Sequence, residues 1–484
     1  MPEPTAPEPV VPDPAMPESN MSEPTVAMTA SISPLAEPET LNPAADPRHM
    51  RRIIAEDPEW SLAIVPQLRE LCIQHIINNF ENKPILEELL PKDKLMVLEK
   101  LPTTMALKVT ANLVSDEGYW KRCCLKKWEI CDVSQYGGCW KRLYFERYLE
   151  NLIERFIPDV TDIGPILEAI PLCQDYVKKL DLQQLLPPVK MNLKKDGEDD
   201  LSEAESDIGI ELASIDHFDF GVIASSLQYL EELHLVYGVK GCGMNFEWHL
   251  FEFTSRDCYS LARALKMFKS LKVFRLHKSK VDDEMSRVLI TSLLDHPSLT
   301  TLDFSYNHIG DRGARAVGRL INSSKLEHLN LCDNKIRAHG GQAIGHALSK
   351  NSTLISLNLR LNRIGDEGGQ AICLALLQNT SLVNLHLGSN EMSEPTATVL
   401  SQVLSHNTVL RDINLSCNHI GLDGGKQLME GMSDNKTVVE FDLRLTEVGQ
   451  ESEFCINQIL RANQEGARLG SLAKMKSESS QVNL

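Results

Sequence analysis

The sequence predicts an α/β fold: a solenoid of short parallel strands, each followed by a helix, preceded by an α-helical domain and flanked by disordered tails. Three observations predict it. The second half of the 484-residue chain repeats one apolar pattern at steps of 27 or 28 residues. Residues 51 to 188 carry apolar positions at helical spacing, interrupted by proline. Proline and acidic residues gather in segments that have little to bury.

In chain order, residues 1–47 hold half of the 24 prolines and eight Asp/Glu without a Lys or Arg. Proline at this density removes helix donors, so the segment is expected to be a disordered acidic tail. No basic residue flanks a P-x-x-P run to suggest a docking motif. Residues 48–188 are expected to form a helical domain of short helices, as in IVPQLRELCIQHIINNF and KLMVLEKL. Within it, Trp120, Trp128 and Trp140 are expected to supply the core, and Lys121, Arg122, Lys126, Lys127, Lys141 and Arg142 a solvated face. Residues 189–216 read as an acidic linker, with nine Asp/Glu against three Lys over 190–216. Ser202 and Ser206 sit among its acidic residues as candidate phosphorylation positions.

The repeats occupy 217–465, followed by an expected disordered tail over 466–484. Five copies align: LTTLDFSYNHIGDRG, LEHLNLCDNKIRAHG, LISLNLRLNRIGDEG, LVNLHLGSNEMSEPT and LRDINLSCNHIGLDG, starting at Leu299, Leu326, Leu354, Leu382 and Leu410. LEELHLVYG from Leu230, LKVFRLHKS from Leu271 and VVEFDLRLT from Val438 are degenerate copies. This is the L-x-x-L-x-L-x-x-N pattern of leucine-rich repeats. Leu357 and Leu359 alternate along a strand into the core. Asn307, Asn334, Asn362, Asn390 and Asn418 form a column expected to satisfy backbone groups of the adjacent turn. Glycine is expected to bend the chain into each helix. The IGDEGG stretch is such a turn, because Gln370 and Ala371 follow the glycines where a phosphate loop needs Lys and Ser or Thr. A ribonuclease-inhibitor-like horseshoe of 28-residue repeats follows, with strands inside and helices outside.

The inner face is set by the non-leucine strand positions, and it is polar and mixed in charge. Asp303, Arg360, His386, Asp412, Asp442 and Arg444 are its candidate partner-binding residues. The step from Leu230 to Leu271 exceeds the repeat by 13 residues. That surplus carries Phe246, Trp248, Phe251 and Phe253, which either cap the end of the domain or present an anchor to a partner, with Trp248 the candidate. No nucleophile stands beside a fixed base, so no catalytic residue, metal ligand, cofactor or small-molecule substrate is assigned. The net charge of -18 lies mostly in the two acidic segments and leaves no basic footprint for nucleic acid. The first residues lack the basic start and apolar run of a signal peptide, and no apolar stretch reaches bilayer length, so no membrane partner is expected. The 12 cysteines contain no C-x-x-C pair and are expected to be reduced thiols.

The segment IIAEDPEWSLAIVPQLRELCIQHIINNF, the block from Tyr119 to Phe156, and the texts INLSCNHIGLDGGKQL and MSDNKTVVEFDLRL closely resemble the T-complex-associated testis-expressed protein 1 family over about residues 48–465. The resemblance implies a leucine-rich-repeat subunit of the nexin–dynein regulatory complex, which links outer doublets in motile cilia and sperm flagella and regulates dynein-driven bending. It implies a non-enzymatic axonemal scaffold of the cytoskeleton, with other complex subunits and the doublet microtubule environment as partners. A looser resemblance points elsewhere. LPKDKLMVLEKL, then YWKRCCLKKW, then leucine-rich repeats is similar to F-box substrate adaptors of ubiquitin ligases, which implies ligase-core binding by residues 85–128.

Overall fold

The computed structural model describes residues 66–189 and 215–481, with side chains described as far as residue 472. The acidic start and most of the acidic linker, Ser202 and Ser206 included, lie outside the described residues. The chain divides into two compact units, Met1–His75 and Ile76–Leu484; the first helix below crosses that boundary, and every later feature lies in the second.

Six helices come first: α1 Leu68–Asn78, α2 Pro91–Lys100, α3 Leu107–Leu113, α4 Glu117–Lys127, α5 Trp140–Glu154 and α6 Gly164–Cys173. Asp116 caps α4 by accepting the Tyr119 N–H at 2.7 Å. Trp120 is buried with Tyr119, Leu143 and Phe145, and its indole N–H donates to the Val114 carbonyl at 2.8 Å. Trp128 and Trp140 are only half-buried. The expected solvated basic face needs correction at Lys141. Its side chain is buried, donating to the Val114 carbonyl at 3.0 Å with Nζ 4.5 Å from the Tyr176 ring centre. Aromatic faces and a carbonyl replace water around the ammonium. Lys127 is exposed yet lies 4.4 Å over Tyr148.

Nine strands among the described residues form one parallel sheet in chain order. They are β1 Lys179–Leu182, β2 Glu232–Leu235, β3 Val273–Leu276, β4 Thr301–Asp303, β5 His328–Asn330, β6 Ser356–Asn358, β7 Asn384–His386, β8 Asp412–Asn414 and β9 Glu440–Asp442. Between and after them run α7 Gly221–Ala224, α8 Ser255–Leu265, α9 Asp283–Leu293, α10 Asp311–Ser323, α11 Ala338–Leu348, α12 Gly365–Leu376, α13 Glu394–His406, α14 Gly421–Met432 and α15 Gln450–Gln481. From α8 to α15 each helix packs against the next. Leu357, Leu359 and Ile364 are fully buried in the layer between sheet and helices. The five asparagines of the repeat column are buried beside them.

β1 is a strand inside the stretch expected to be helical. Val177, Leu180 and Leu182 are fully buried and repeat the leucine pattern, and the acidic segment intervenes before the next copy. An edge strand needs its outer N–H groups covered. Here α5 covers them with three glutamates one helical turn apart. Glu146 accepts the N–H groups of Lys178 and Lys179 at 2.8 and 2.9 Å, Glu150 that of Asp181 at 2.7 Å, and Glu154 that of Gln183 at 2.7 Å. Four helical residues rise about 6 Å and two strand residues about 6.6 Å, so the two periods stay in step over three contacts.

α15 runs past residue 465, where the disordered tail was expected to begin, and continues to Gln481. Ser452, Ile456, Leu460 and Asn463 are buried at i, i+4, i+8 and i+11, so one stripe of α15 closes the end of the core. The glycines divide into two kinds. Gly365 bends the chain into α12 with φ +61°. The helix glycines instead permit close approach: a Cβ on Gly345 would lie 2.5 Å from the Ala371 carbonyl oxygen, and one on Gly341 2.9 Å from Gly368 Cα.

Candidate partner-binding face

The polar positions of the strands line up across the open face. One column runs Asp181, His234, Arg275, Asp303, Asn330, Asn358, His386, Asn414 and Asp442 through successive strand pairs. It begins three strands earlier than the sequence showed. The column is partly used by the backbone. Asp303, Asn330, Asn358, Asn414 and Asp442 each accept the N–H two residues on, at 2.9 to 3.1 Å. These Asx turns end the strands.

Most charges of the face are matched within it. Arg275 Nε lies 3.9 Å from Asp303, His386 bonds Asp412 at 2.9 Å, and Arg444 holds Asp442 through two bonds of 2.8 and 2.7 Å. The Arg444 hydrogen bonds, opposed by burial, hold the Asp442 carboxyl below the usual carboxylate range. Arg360 is different. It is half-buried, and its Nε is buried without a hydrogen-bond partner. Gly388, on the next repeat, has no side chain to fill the space beyond it. A Cβ there would lie 2.6 Å from Asn414 Oδ1 and 2.9 Å from Ser416 Oγ. Arg360 and Arg444, three strands apart, therefore line one groove of about 720 Å³ with Ser416, Cys417, Leu443 and Leu445. Leu445 is 80% exposed at its rim. Asp303, His386, Asp412, Asp442 and Trp248 do not line this groove.

The strand ends are held by the asparagine column. Asn362 Nδ2 donates to the carbonyls of Leu331 in the preceding repeat (2.9 Å) and of Leu359 and Arg360 in its own (3.0 and 3.2 Å). Its Oδ1 accepts the Ile336 N–H at 3.1 Å. Asn307, Asn334 and Asn418 use the same pattern. The IGDEGG repeat departs from it. With Gly365 at positive φ, the Gly365 N–H reaches the Asn390 carbonyl at 2.9 Å, and Asn390 Oδ1 stays buried without a partner.

Two further ladders escaped the sequence reading. Asn351, Asn379, Asn407 and Asn435, three residues before the first leucine-type residue of each repeat, accept two N–H groups of their own turn and donate to a carbonyl one repeat back. His296 holds the equivalent place before Leu299, bonded to the Phe268 carbonyl at 2.9 Å. The signal was the recurring N-x-x-L. The acidic residue of IGDEGG lies in the first turn of α12 and reaches the helix of the next repeat. Asp366 accepts from the backbone and hydroxyls of Ser393 and Thr396, capping α13. Burial alone would raise its pKa, but these bonds outweigh it and hold Asp366 below the usual range. Asp283 and Asp311 cap α10 and α11 in the same way.

The aromatic insertion has a packed part and an exposed part. It does not cap the end of the sheet, since β1 lies beyond it. Phe253 is buried, its ring centre 4.4 Å from that of Tyr237, and Phe251 lies against Gly238. Phe246 and Trp248 face solvent, Trp248 with 74% of its surface exposed. The 12 cysteines are all free thiols. Among the described residues no His/Cys/Asp/Glu cluster has the geometry to hold a metal, and no helix is long and apolar enough to cross a membrane.

A parallel sheet built from repeating strand–helix units, with stacked asparagines and an open polar face, defines a leucine-rich-repeat protein. The profile described as Leucine Rich repeat matches residues 295–318, 322–345, 350–373 and 406–429. The unmatched repeat between the last two, where Met392 and Ser393-Glu394-Pro395 interrupt the consensus, forms its strand and helix all the same. Curated relatives named dynein regulatory complex subunit 5 are similar over longer stretches. The Macaca fascicularis protein is 57% identical over 327 residues, 67% of this chain and 65% of its own length. The Homo sapiens protein is 57% identical over 292 residues, 60% and 58% of the two chains. The Chlamydomonas reinhardtii protein is 30% identical over 226 residues, 46% and 50%. The chain belongs to the T-complex-associated testis-expressed protein 1 family, the family of these subunits. It spans less than two thirds of the length of each of these relatives.

Proposed function

We propose that this chain is a non-enzymatic scaffold subunit of the nexin–dynein regulatory complex, working in the axoneme of cilia or flagella and helping to regulate dynein-driven motility. In this reading the open sheet face binds other subunits of the complex beside the doublet microtubules. The relatives' names support the complex. The groove between Arg360 and Arg444 supports the face: two guanidinium groups and the exposed Leu445 line it from rigid repeats three strands apart. Side chains held on strands lose little entropy on association, which favours binding over a flexible surface of equal area. Asp303, His386, Asp412 and Asp442 complete the polar surround.

Reversing Arg360 and Arg444 together to Glu tests it. The double variant should fold as the parent does and recover less of the complex's other subunits from ciliary extract, because two attractive charges become repulsive. Equal recovery by the two folded proteins would remove this groove from the reading.

A further inference from the structure

We propose that the edge of the sheet where the strands end, from the aromatic insertion to β6, docks an acidic, extended segment of a partner protein carrying an apolar anchor. The groove along it shares no lining residue with the Arg360–Arg444 groove. The residues that follow the ladder position in four successive repeats are Lys280, His308, Lys335 and Arg363. In register they make a basic row along one edge of a chain whose net charge is -18. The next position is Glu391, so the row has a defined end.

Lys335 and Arg363 are exposed, and among the described residues neither these two nor Lys280 forms an ion pair. Two carboxylates, Asp282 and Asp333, do stand near the row, and the balance is still positive. The His308 imidazole is shifted below its ordinary value by burial and then by the charges of Lys335 and Lys280, which outweigh both aspartates. His308, Lys335 and Arg363 share a surface groove of about 350 Å³ with Tyr306, Asp333 and Arg337.

The row meets the apolar end of the edge at Lys280, whose Nζ lies 4.9 Å over the Trp248 ring. Trp248 packs edge-on against Phe246 at 5.1 Å, and Met244 beside them is fully exposed. An aromatic pair left in water and fixed in place by a cation is the kind of anchor pocket that dominates interfaces. Strand spacing sets the length of the occupant. Three steps of about 4.8 Å span about 14 Å, which an extended chain covers in four or five residues. A short acidic run with an aliphatic side chain at its Trp248 end matches both parts.

The chain's own acidic residues are the natural competitor. Residues on either side of the acidic segment contact the insertion and the start of α8: Leu185 donates to the Gly238 carbonyl at 3.2 Å, and Asp216 bonds Thr254 and Arg256. The test uses the full chain and a fluorescein-labelled peptide of five glutamates with a leucine at each end, read by anisotropy at two salt concentrations. Its lysine counterpart is the control. The glutamate peptide should bind about tenfold more tightly than the lysine peptide and weaken as salt rises. K335E/R363E should lose about tenfold and W248A a few-fold. Equal binding of the two peptides, or undiminished binding by K335E/R363E with an unchanged melting temperature, overturns the proposal. Binding that emerges only after residues 196–207 are deleted makes the chain's own segment the occupant and overturns the partner assignment.

Discussion

At the scale of single residues, the structure is held by side chains that imitate backbone. Asparagine suits the ladder because its amide donates and accepts at once, as a peptide group does. Asn362 makes four such bonds in a buried place. Leucine at this position keeps the volume and removes every bond, leaving the Leu331 and Leu359 carbonyls and the Ile336 N–H to find partners without water. Asn362→Leu should therefore lower stability by about 1 to 3 kcal/mol, read from denaturant or thermal unfolding. An unchanged midpoint would show that the ladder adds nothing beyond packing. Asn390, one acceptor short because Gly365 reroutes the chain, should tolerate the same change better.

At the scale of elements, the contact of α5 with β1 shows how a helix closes a parallel sheet. Three carboxylates lie in a row, and burial raises the pKa values of Glu146 and Glu150. Burial, then the charges of Asp181, Glu146 and Glu154, push Glu150 up to about 8, against the opposing bond from the Asp181 N–H. Glu146 is raised too, chiefly by burial, with Oε2 left unpartnered. A carboxyl whose folded pKa exceeds its unfolded value binds more protons in the folded state, so its contribution to stability falls as pH rises between the two values. For Glu150 that window runs from the ordinary glutamate value, about 4.3, to the folded value near 8. Glu150→Gln keeps an acceptor for the Asp181 N–H and removes the titration. The melting temperature of the variant should decline less between pH 5 and 8 than that of the parent, and parallel pH profiles would refute the assignment.

At the scale of the whole repeat array, each unit touches only its neighbours, so stability depends on how the two ends are closed. α5 closes the first and the buried stripe of α15 the last. Asn463 extends the second asparagine ladder into α15, donating to the Asn435 and Val438 carbonyls at 3.0 and 2.9 Å. A chain ending at Gln464 retains this stripe and should melt close to the full chain. One ending at Gly449 exposes Phe441, Val448 and the last ladder rung, and should melt well below it or aggregate. Equal melting of the two truncations would show that α15 is not the cap.

The repeats were legible because their physics is local and recurs. Leu357, Leu359 and Asn362 sit at spacings that a strand and a bend impose, and many copies in register leave no rival pattern. The open-face candidates followed from the same alternation, so the sequence by itself determined the fold class, the positions of eight of the nine strands and which of their side chains share a face. It did not determine how those side chains are used. Arg444 pairs with Asp442, Arg360 is left with an open Nε, and Gly388 makes the groove between them, all consequences of distances across repeats. β1 escaped notice because the acidic segment separates it from the rest and its capping glutamates lie on a helix about 30 residues upstream in the chain. Lys141 was misplaced for the same reason: an ammonium leaves water only where a carbonyl and aromatic faces converge on it, and that convergence is decided by tertiary structure alone.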